Sequence, residues 1–194
     1  MKNAGAGWLK AAREVMRLGL PAVVVALATA GCASQWGAPT AENRQKALFV
    51  SRVGQFVQWP AYAFPTATSP VMIGVIGGNP FGNALEQLAA NGRIAGHPIV
   101  VRRMTPFSDI RRCQVLFINR FAQSRLPLIL NFLGRSPVLT VSDGDDFVKR
   151  GGMIQLFMEN GAVRFEINQA AVEKAGLRLN SQLEGLAVHP RPAH

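Results

Sequence analysis

Val71-Met72-Ile73-Gly74-Val75-Ile76-Gly77-Gly78-Asn79-Pro80-Phe81-Gly82 decides the fold. Its first six residues are apolar and partly β-branched, with no polar alternation. That pattern marks a strand buried on both faces. Gly77-Gly78 turns the chain, and Asn79 before Pro80 forms a helix entry, a cap followed by a first-turn residue. A helix is expected over Phe81 to Ala90, ended by Asn91-Gly92. Strand, tight turn and helix in succession make the first half of a βαβ unit.

The same alternation continues toward the C-terminus. Pro98 to Arg103 reads as a second strand and Ser108 to Arg112 as a short helical turn. Gln114 to Asn119 is a third strand, followed by a helix from Ala122 to Leu133 that stops at Gly134. Pro137 to Val141 is a fourth strand. Repetition of this kind predicts an α/β domain of three-layer, Rossmann-like architecture, a mostly parallel sheet with helices on both faces. The pattern then changes. Met153–Glu159 and Ala162–Asn168 flank Asn160-Gly161, a dipeptide suited to a two-residue type I′ turn, so an antiparallel hairpin is expected. Its register places Ile154, Leu156, Met158, Val163, Phe165 and Ile167 on a core face. Met153, Gln155, Phe157, Arg164 and Glu166 fall on the other, with Phe157 opposite Arg164 and Gln155 opposite Glu166. Helices near Ala170–Ala175 and Ser181–Leu186 complete the domain, and 189–194 read as a disordered tail.

Toward the N-terminus, Trp59-Pro60 stops a helix that Thr40 caps and that runs to about Val57. Residues 60–70 contain three prolines and no periodicity and read as a loop. Residues 32–40 are small and polar, a tether. Residues 1–31 read as a bacterial secretory segment: Lys2, Lys10, Arg13 and Arg17, then an apolar run of 13 residues, Leu18 to Ala30, too short for the ~20 residues of a membrane span. Ala28-Thr29-Ala30 fits ordinary cleavage after Ala30. Ala30-Gly31-Cys32 resembles a lipoprotein box that would lipidate Cys32, although Thr29 stands where that box prefers Leu. Both routes lead across the inner membrane, to the periplasm.

Among 194 residues, 21 Lys+Arg face 11 Asp+Glu, a net charge of +10. Without the N-terminal segment, 17 cations and 10 anions remain, or +7. That balance, with export, argues against a nucleic-acid partner. Two cysteines exclude a disulfide scaffold and a four-Cys zinc module. Cys113 opens a buried strand and reads as an inert core thiol, with a redox switch as the alternative. Gly77 to Gly82 lacks the G-x-G-x-x-G spacing and the Lys-Ser/Thr of a P-loop, and reads as a tight turn. Asp143-Gly144-Asp145-Asp146 follows a strand but has no EF-hand spacing; helix capping by Asp145 or Asp146 is the plainer reading. No metal site and no cofactor is expected. His97, His189 and His194 join no Cys/His or G-x-S-x-G constellation, so no catalytic residue is assigned. A small ligand, a nucleotide or an aromatic metabolite, could sit at the strand ends near Gly78, Asn79, Ser142 and Asp143, the usual crevice of open α/β sheets.

Eight segments in order resemble the YfiR family of periplasmic regulators, the DUF4154 domain. They are Lys46-Ala47-Leu48-Phe49-Val50 with Phe56-Val57-Gln58-Trp59-Pro60; Ile73-Gly74-Val75-Ile76-Gly77 with Asn79-Pro80-Phe81-Gly82; Gly96 to Arg103; Cys113 to Ile118; Pro137 to Asp143; Phe147 with Gly151-Gly152-Met153-Ile154; Arg164-Phe165-Glu166-Ile167-Asn168; and Ala175 to Leu179. The resemblance spans about residues 44 to 188 and implies a YfiR-like domain over 41–188. It further implies a non-enzymatic, dimeric regulator that represses an inner-membrane diguanylate cyclase by binding its periplasmic sensor region, with an outer-membrane lipoprotein as a sequestering partner. Cyclic-di-GMP and biofilm would lie downstream. Cys113 matches a family cysteine, whereas Val148 and Gln155 stand where family cysteines flank the Gly-Gly-Met-Ile segment, so control by internal disulfides is not expected.

The family's repressing surface implies roles for Glu166 and Arg178. With the hairpin face, the expected partner surface is Met153, Ile154, Phe157, Arg164, Glu166 and Arg178. A diguanylate cyclase or a sensor kinase is the expected partner. The bland alternative is that helix Ala170–Ala175 covers this face and makes it core.

Overall fold

A computed structural model describes residues 39–188 except 67 and 106–108. The expected signal segment, Cys32, nearly all of the tether and the tail 189–194 lie outside the described residues.

Helix α1 covers Ala41–Arg52, and the Thr40 hydroxyl accepts from Asn43 N at 3.1 Å as its cap. It ends earlier than the apolar spacing predicts. Val53–Phe56 tightens into a 3₁₀ turn and Val57–Gln58 becomes strand β1. The cause is long-range. β1 pairs antiparallel with β9 (Arg178–Leu179), and Asn180 N donates to Phe56 O at 2.8 Å, so these backbone groups find partners outside the helix.

The main sheet has seven strands in the order β3 (Arg93–Ile94), β4 (His97–Arg103), β2 (Val71–Ile76), β5 (Val115–Ile118), β6 (Leu139–Ser142), β7 (Ile154–Glu159) and β8 (Ala162–Ile167). The pairs β4–β2, β2–β5, β5–β6 and β6–β7 are parallel; β3–β4 and β7–β8 are antiparallel. This is the expected mostly parallel sheet with a C-terminal antiparallel hairpin.

Strand alternation sends side chains into two cores. Ile73, Val115, Phe117, Leu139 and Val141 pack on one side with Val50 of α1, Leu85 of α2 (Ala84–Ala90), Val172 of α4 (Gln169–Lys174) and Leu183 of α5 (Ser181–Leu186). Ile76, Leu116 and Ile118 pack on the other with Leu126, Ile129 and Leu133 of α3 (Leu126–Leu133). A 3₁₀ segment, Arg120–Arg125, leads into α3.

Two capping expectations change. No helix starts at Pro80: Asn79 folds onto its own loop, accepting from Phe81 N at 3.1 Å and donating to Gly82 O at 2.5 Å. A short polar side chain that satisfies its own turn removes the reason for a helix there. Asp145 and Asp146 cap no helix either; residues 145–151 form turns, with Asp146 at φ 55°.

Candidate functional site

The hairpin register is the one the sequence predicts. Phe157 lies opposite Arg164, Gln155 opposite Glu166 and Leu156 opposite Phe165, and the turn residues Asn160 and Gly161 have φ of 52° and 77°. Asn and Gly tolerate those positive values, which a type I′ turn demands. Ile154, Leu156 and Phe165 are buried in the core shared with α1, α4 and α5, and the Phe165 ring sits 4.9 Å from that of Phe49. Because α4 and α5 pack on that side through Val172 and Leu183, they do not cover the opposite row. α3 packs on the sheet's other side, but its apolar cluster contains no hairpin residue.

The row of Gln155, Phe157, Arg164 and Glu166 is therefore open. Phe157 is half-buried at its centre. Arg164 Nε lies 3.7 Å from Glu159 Oε2, and Lys149 Nζ lies 2.9 Å from Asp146 Oδ1. The hydrogen bond that Lys149 donates to Asp146 raises the lysine pKa, with the Asp146 charge and then Glu166 adding to the effect. Two side chains clamp the 146–150 turn to the hairpin: Gln155 Oε1 accepts from Val148 N at 3.4 Å, and Asn168 Nδ2 donates to Val148 O at 2.9 Å. Asp146, Lys149, Gln155, Phe157, Glu166 and Val188 line a concavity of about 300 Å³ here, with Arg164 next to it opposite Phe157. An aromatic group ringed by both signs of charge suits a protein contact better than a reaction.

Three of the six expected surface residues are not on this surface. Met153 is buried, its amide donating to Thr140 Oγ1 at 3.1 Å and its Sδ facing Thr140 N at 3.5 Å. It precedes β7 and tucks against β6 instead of continuing the strand's alternation. Ile154 is fully buried in the inner row. Arg178 is exposed on β9 and borders a different concavity, of about 550 Å³, beside Gln169 and Glu173. Phe157, Arg164 and Glu166 are brought together. Asp146 and Lys149 complete the ring and went unrecognised in the sequence, because residues 145–149 read there as a helix start.

The strand carboxyl ends are filled from within. Asp143 is buried; its Oδ1 accepts from Arg120 N at 2.9 Å and its Oδ2 from Lys46 Nζ at 3.1 Å. Lys46 is 1% exposed and also contacts Glu42 Oε1 at 2.5 Å. Ser142 donates to Ile118 O at 2.5 Å and accepts from Gly144 N at 3.0 Å. Asn79 is engaged by its own loop, and Gly78 alone faces open space. The four residues therefore form no common ligand cradle. Among the described residues no group of three or more His, Cys, Asp and Glu is placed to hold a metal.

Cys113 is buried, a free thiol whose pKa is pushed up to about 12 by desolvation first and the Asp109 charge second. His97 stacks on Phe64 with ring centroids 4.4 Å apart, and its Nδ1 is 2.7 Å from Ser69 O, so it pins the 60–70 loop. No described helix is long and apolar enough to cross a membrane.

Comparison with known proteins agrees with this architecture. The YfiR/HmsC-like family model, DUF4154, matches residues 43–188. No curated protein matches the sequence. A crystal structure titled a conserved domain protein from Vibrio cholerae O1 biovar El Tor str. N16961 superposes with a TM-score of 0.50 at 14% identity, over 79% of this chain and 61% of that one. The present chain thus spans about three fifths of that neighbour's length, and at this identity the likeness concerns the fold alone. With three quarters of its length under the family model, the chain belongs to the YfiR/HmsC-like DUF4154 family.

Proposed function

We propose that this protein is an exported, non-catalytic regulator that binds the periplasmic sensor region of an inner-membrane signalling enzyme, a diguanylate cyclase, and represses it. Cyclic-di-GMP and biofilm output would follow. The observation that carries this reading is the hairpin row, Phe157 beside Lys149 and Glu166 in one concavity and opposite Arg164 across the strands, in a chain whose family is regulatory. Half-buried, Phe157 is held in place before binding and still presents ring area to a partner, which lowers the ordering cost of association. The mixed charges around it set register more than affinity.

The test is co-purification with the soluble sensor region of a candidate cyclase. Phe157→Ala and Glu166→Ala should each lower the bound fraction at least about tenfold while leaving the fold intact. Unchanged binding in both variants removes the surface.

A small-ligand reading keeps one observation. A cavity of about 570 Å³, within the range of small-molecule sites, lies at the amino ends of the central strands between Tyr62, Met72 and Arg112. A thermal-shift screen in which no aromatic or anionic metabolite raises the melting temperature removes it.

A further inference from the structure

From Ile110 to Ser142 the chain holds no Asp or Glu and five arginines: Arg111, Arg112, Arg120, Arg125 and Arg135. The middle of this stretch is the 3₁₀ segment Arg120–Arg125 and helix α3. Ala122, Leu126, Ile129 and Leu133 face the core, so the opposite ridge carries Phe121, Ser124, Arg125 and Leu128. Phe121 is 83% exposed and Leu128 57%. They stand seven residues apart, about four steps of 3₁₀ and three of α-helix, so roughly 12 Å separates them along the axis and they point outward about a sixth of a turn apart. Large apolar residues so exposed in pairs on one ridge mark a contact surface.

The cations beside them are placed for an anion. Arg111 stacks over Phe132 at 4.3 Å and donates Nε–H to Phe132 O at 2.8 Å, which fixes it at the C-terminal end of α3. Arg150 donates to the Gln123 carbonyl at 3.0 Å, on a turn that also carries the exposed Asp145 and Asp146, the latter paired with Lys149. Arg120 and Arg112 are exceptions: Asp143 and Glu42 balance Arg120 and Lys46, and Arg112 Nε lies 3.8 Å from Asp109 Oδ1.

We propose that this ridge, Phe121, Arg125 and Leu128 with Arg111, Arg135 and Arg150 around it, rests on an anionic phospholipid surface. Phe and Leu would enter the headgroup boundary while guanidinium groups bind phosphate oxygens, the arrangement of an interfacial amphipathic helix. A two-fold contact centred on Arg125 and Leu128 sets arginine against arginine, since residues 110–142 hold no Asp or Glu. A basic apolar face supplies the second of the two signals that stable anchoring needs, the first being an acyl chain such as the one expected on Cys32.

The test uses the full chain with Cys32→Ser and Ser124→Cys, labelled at residue 124 with an environment-sensitive fluorophore; this reads the ridge locally, whatever residues 1–38 do. Vesicles of 30% phosphatidylglycerol in phosphatidylcholine should shift its emission to the blue, with apparent partitioning at least about tenfold above that for pure phosphatidylcholine. Arg125→Glu with Arg135→Glu should remove that preference, and Phe121→Ser with Leu128→Ser should abolish the shift. Phe157→Ala should leave the shift unchanged, which separates this surface from the hairpin. No shift with anionic vesicles, equal shifts with neutral ones, or a response only to an acidic polypeptide such as polyglutamate overturns the proposal.

Discussion

Lys46 Nζ lies 3.1 Å from Asp143 Oδ2 across 97 residues of sequence, with both side chains almost wholly out of water. The contact ties the first helix to the carboxyl end of the central sheet. Isolated, either charge would be prohibitive there. Arg120 and Glu42 share the site, so two cations face two carboxylates. The same network removes Asp143 from the ligand crevice that an open α/β sheet leads one to expect.

Breaking this pair from one side leaves a buried charge. Lys46→Met should therefore cost about 3 kcal/mol in a denaturant titration, and Asp143→Asn somewhat less, because Glu42 still receives the ammonium. Lys46→Met combined with Asp143→Asn should cost clearly less than the two single losses together, since neither member of the pair is left as an orphan charge. Additive losses would show that the two groups do not act as a pair.

Phe147 and Gly152 explain one motif in packing terms. The Phe147 ring lies against Gly152 so closely that any Cβ there would overlap ring atoms Cδ1 and Cε1, and Gly152 N donates to Phe147 O at 2.9 Å. Phe147 is fully buried and has no room to yield. Gly152→Ala should lower stability by about 1–3 kcal/mol, read as a fall in melting temperature. Phe147→Leu in the same chain should recover part of the loss.

Much of this architecture could be read from the residues, and the failures share a cause. Val71–Ile76 and the Asn160-Gly161 hairpin carry local signals, periodicity and turn chemistry, and the register came out pair by pair. β1 and β9 are two residues each and exist only because distant backbone groups meet, so no local pattern announces them; β3, as short, pairs locally with β4 across the Ala95-Gly96 turn. Met153 was placed on the open face by counting in twos, but the strand starts one residue later. Lys46 sat in plain view within an apolar helix face; its partner, almost a hundred residues on, could not be named without the fold.

Burial of Cys113 has a sign that can be measured. Its pKa rises from 9.0 to about 12, so between these values the unfolded chain releases a proton that the folded chain keeps. Stability from this group is complete below pH 9 and is lost as pH rises toward 12. Stability profiles of the wild type and Cys113→Ala should therefore converge across that range, the wild type falling more steeply. A thiol reagent at pH 8 should label Cys113 only as fast as the domain opens. Rapid labelling of the folded protein would place the thiol at the surface and revive a redox role.

Gln45 guards the free edge of the sheet. β8 pairs with β7 on one side only, and an unpaired edge is a template for another strand. From α1, Gln45 Nε2 donates to Gly161 O at 3.3 Å and its Oε1 accepts from Val163 N at 3.2 Å, so one amide mimics a strand's pairing. Further along, Val188 N donates to Phe165 O at 2.9 Å. Gln45→Glu keeps the acceptor and loses the donor, setting a carboxylate against the Gly161 carbonyl; Gln45→Ala loses both. Because the bonds are exposed, each variant should lose only about 0.5–1.5 kcal/mol of stability. Self-association should respond more, rising for Gln45→Ala and less for Gln45→Glu, whose added charge resists stacking. Sedimentation velocity at several concentrations makes the comparison, and equal behaviour of all three proteins would show that the edge is protected by something other than this side chain.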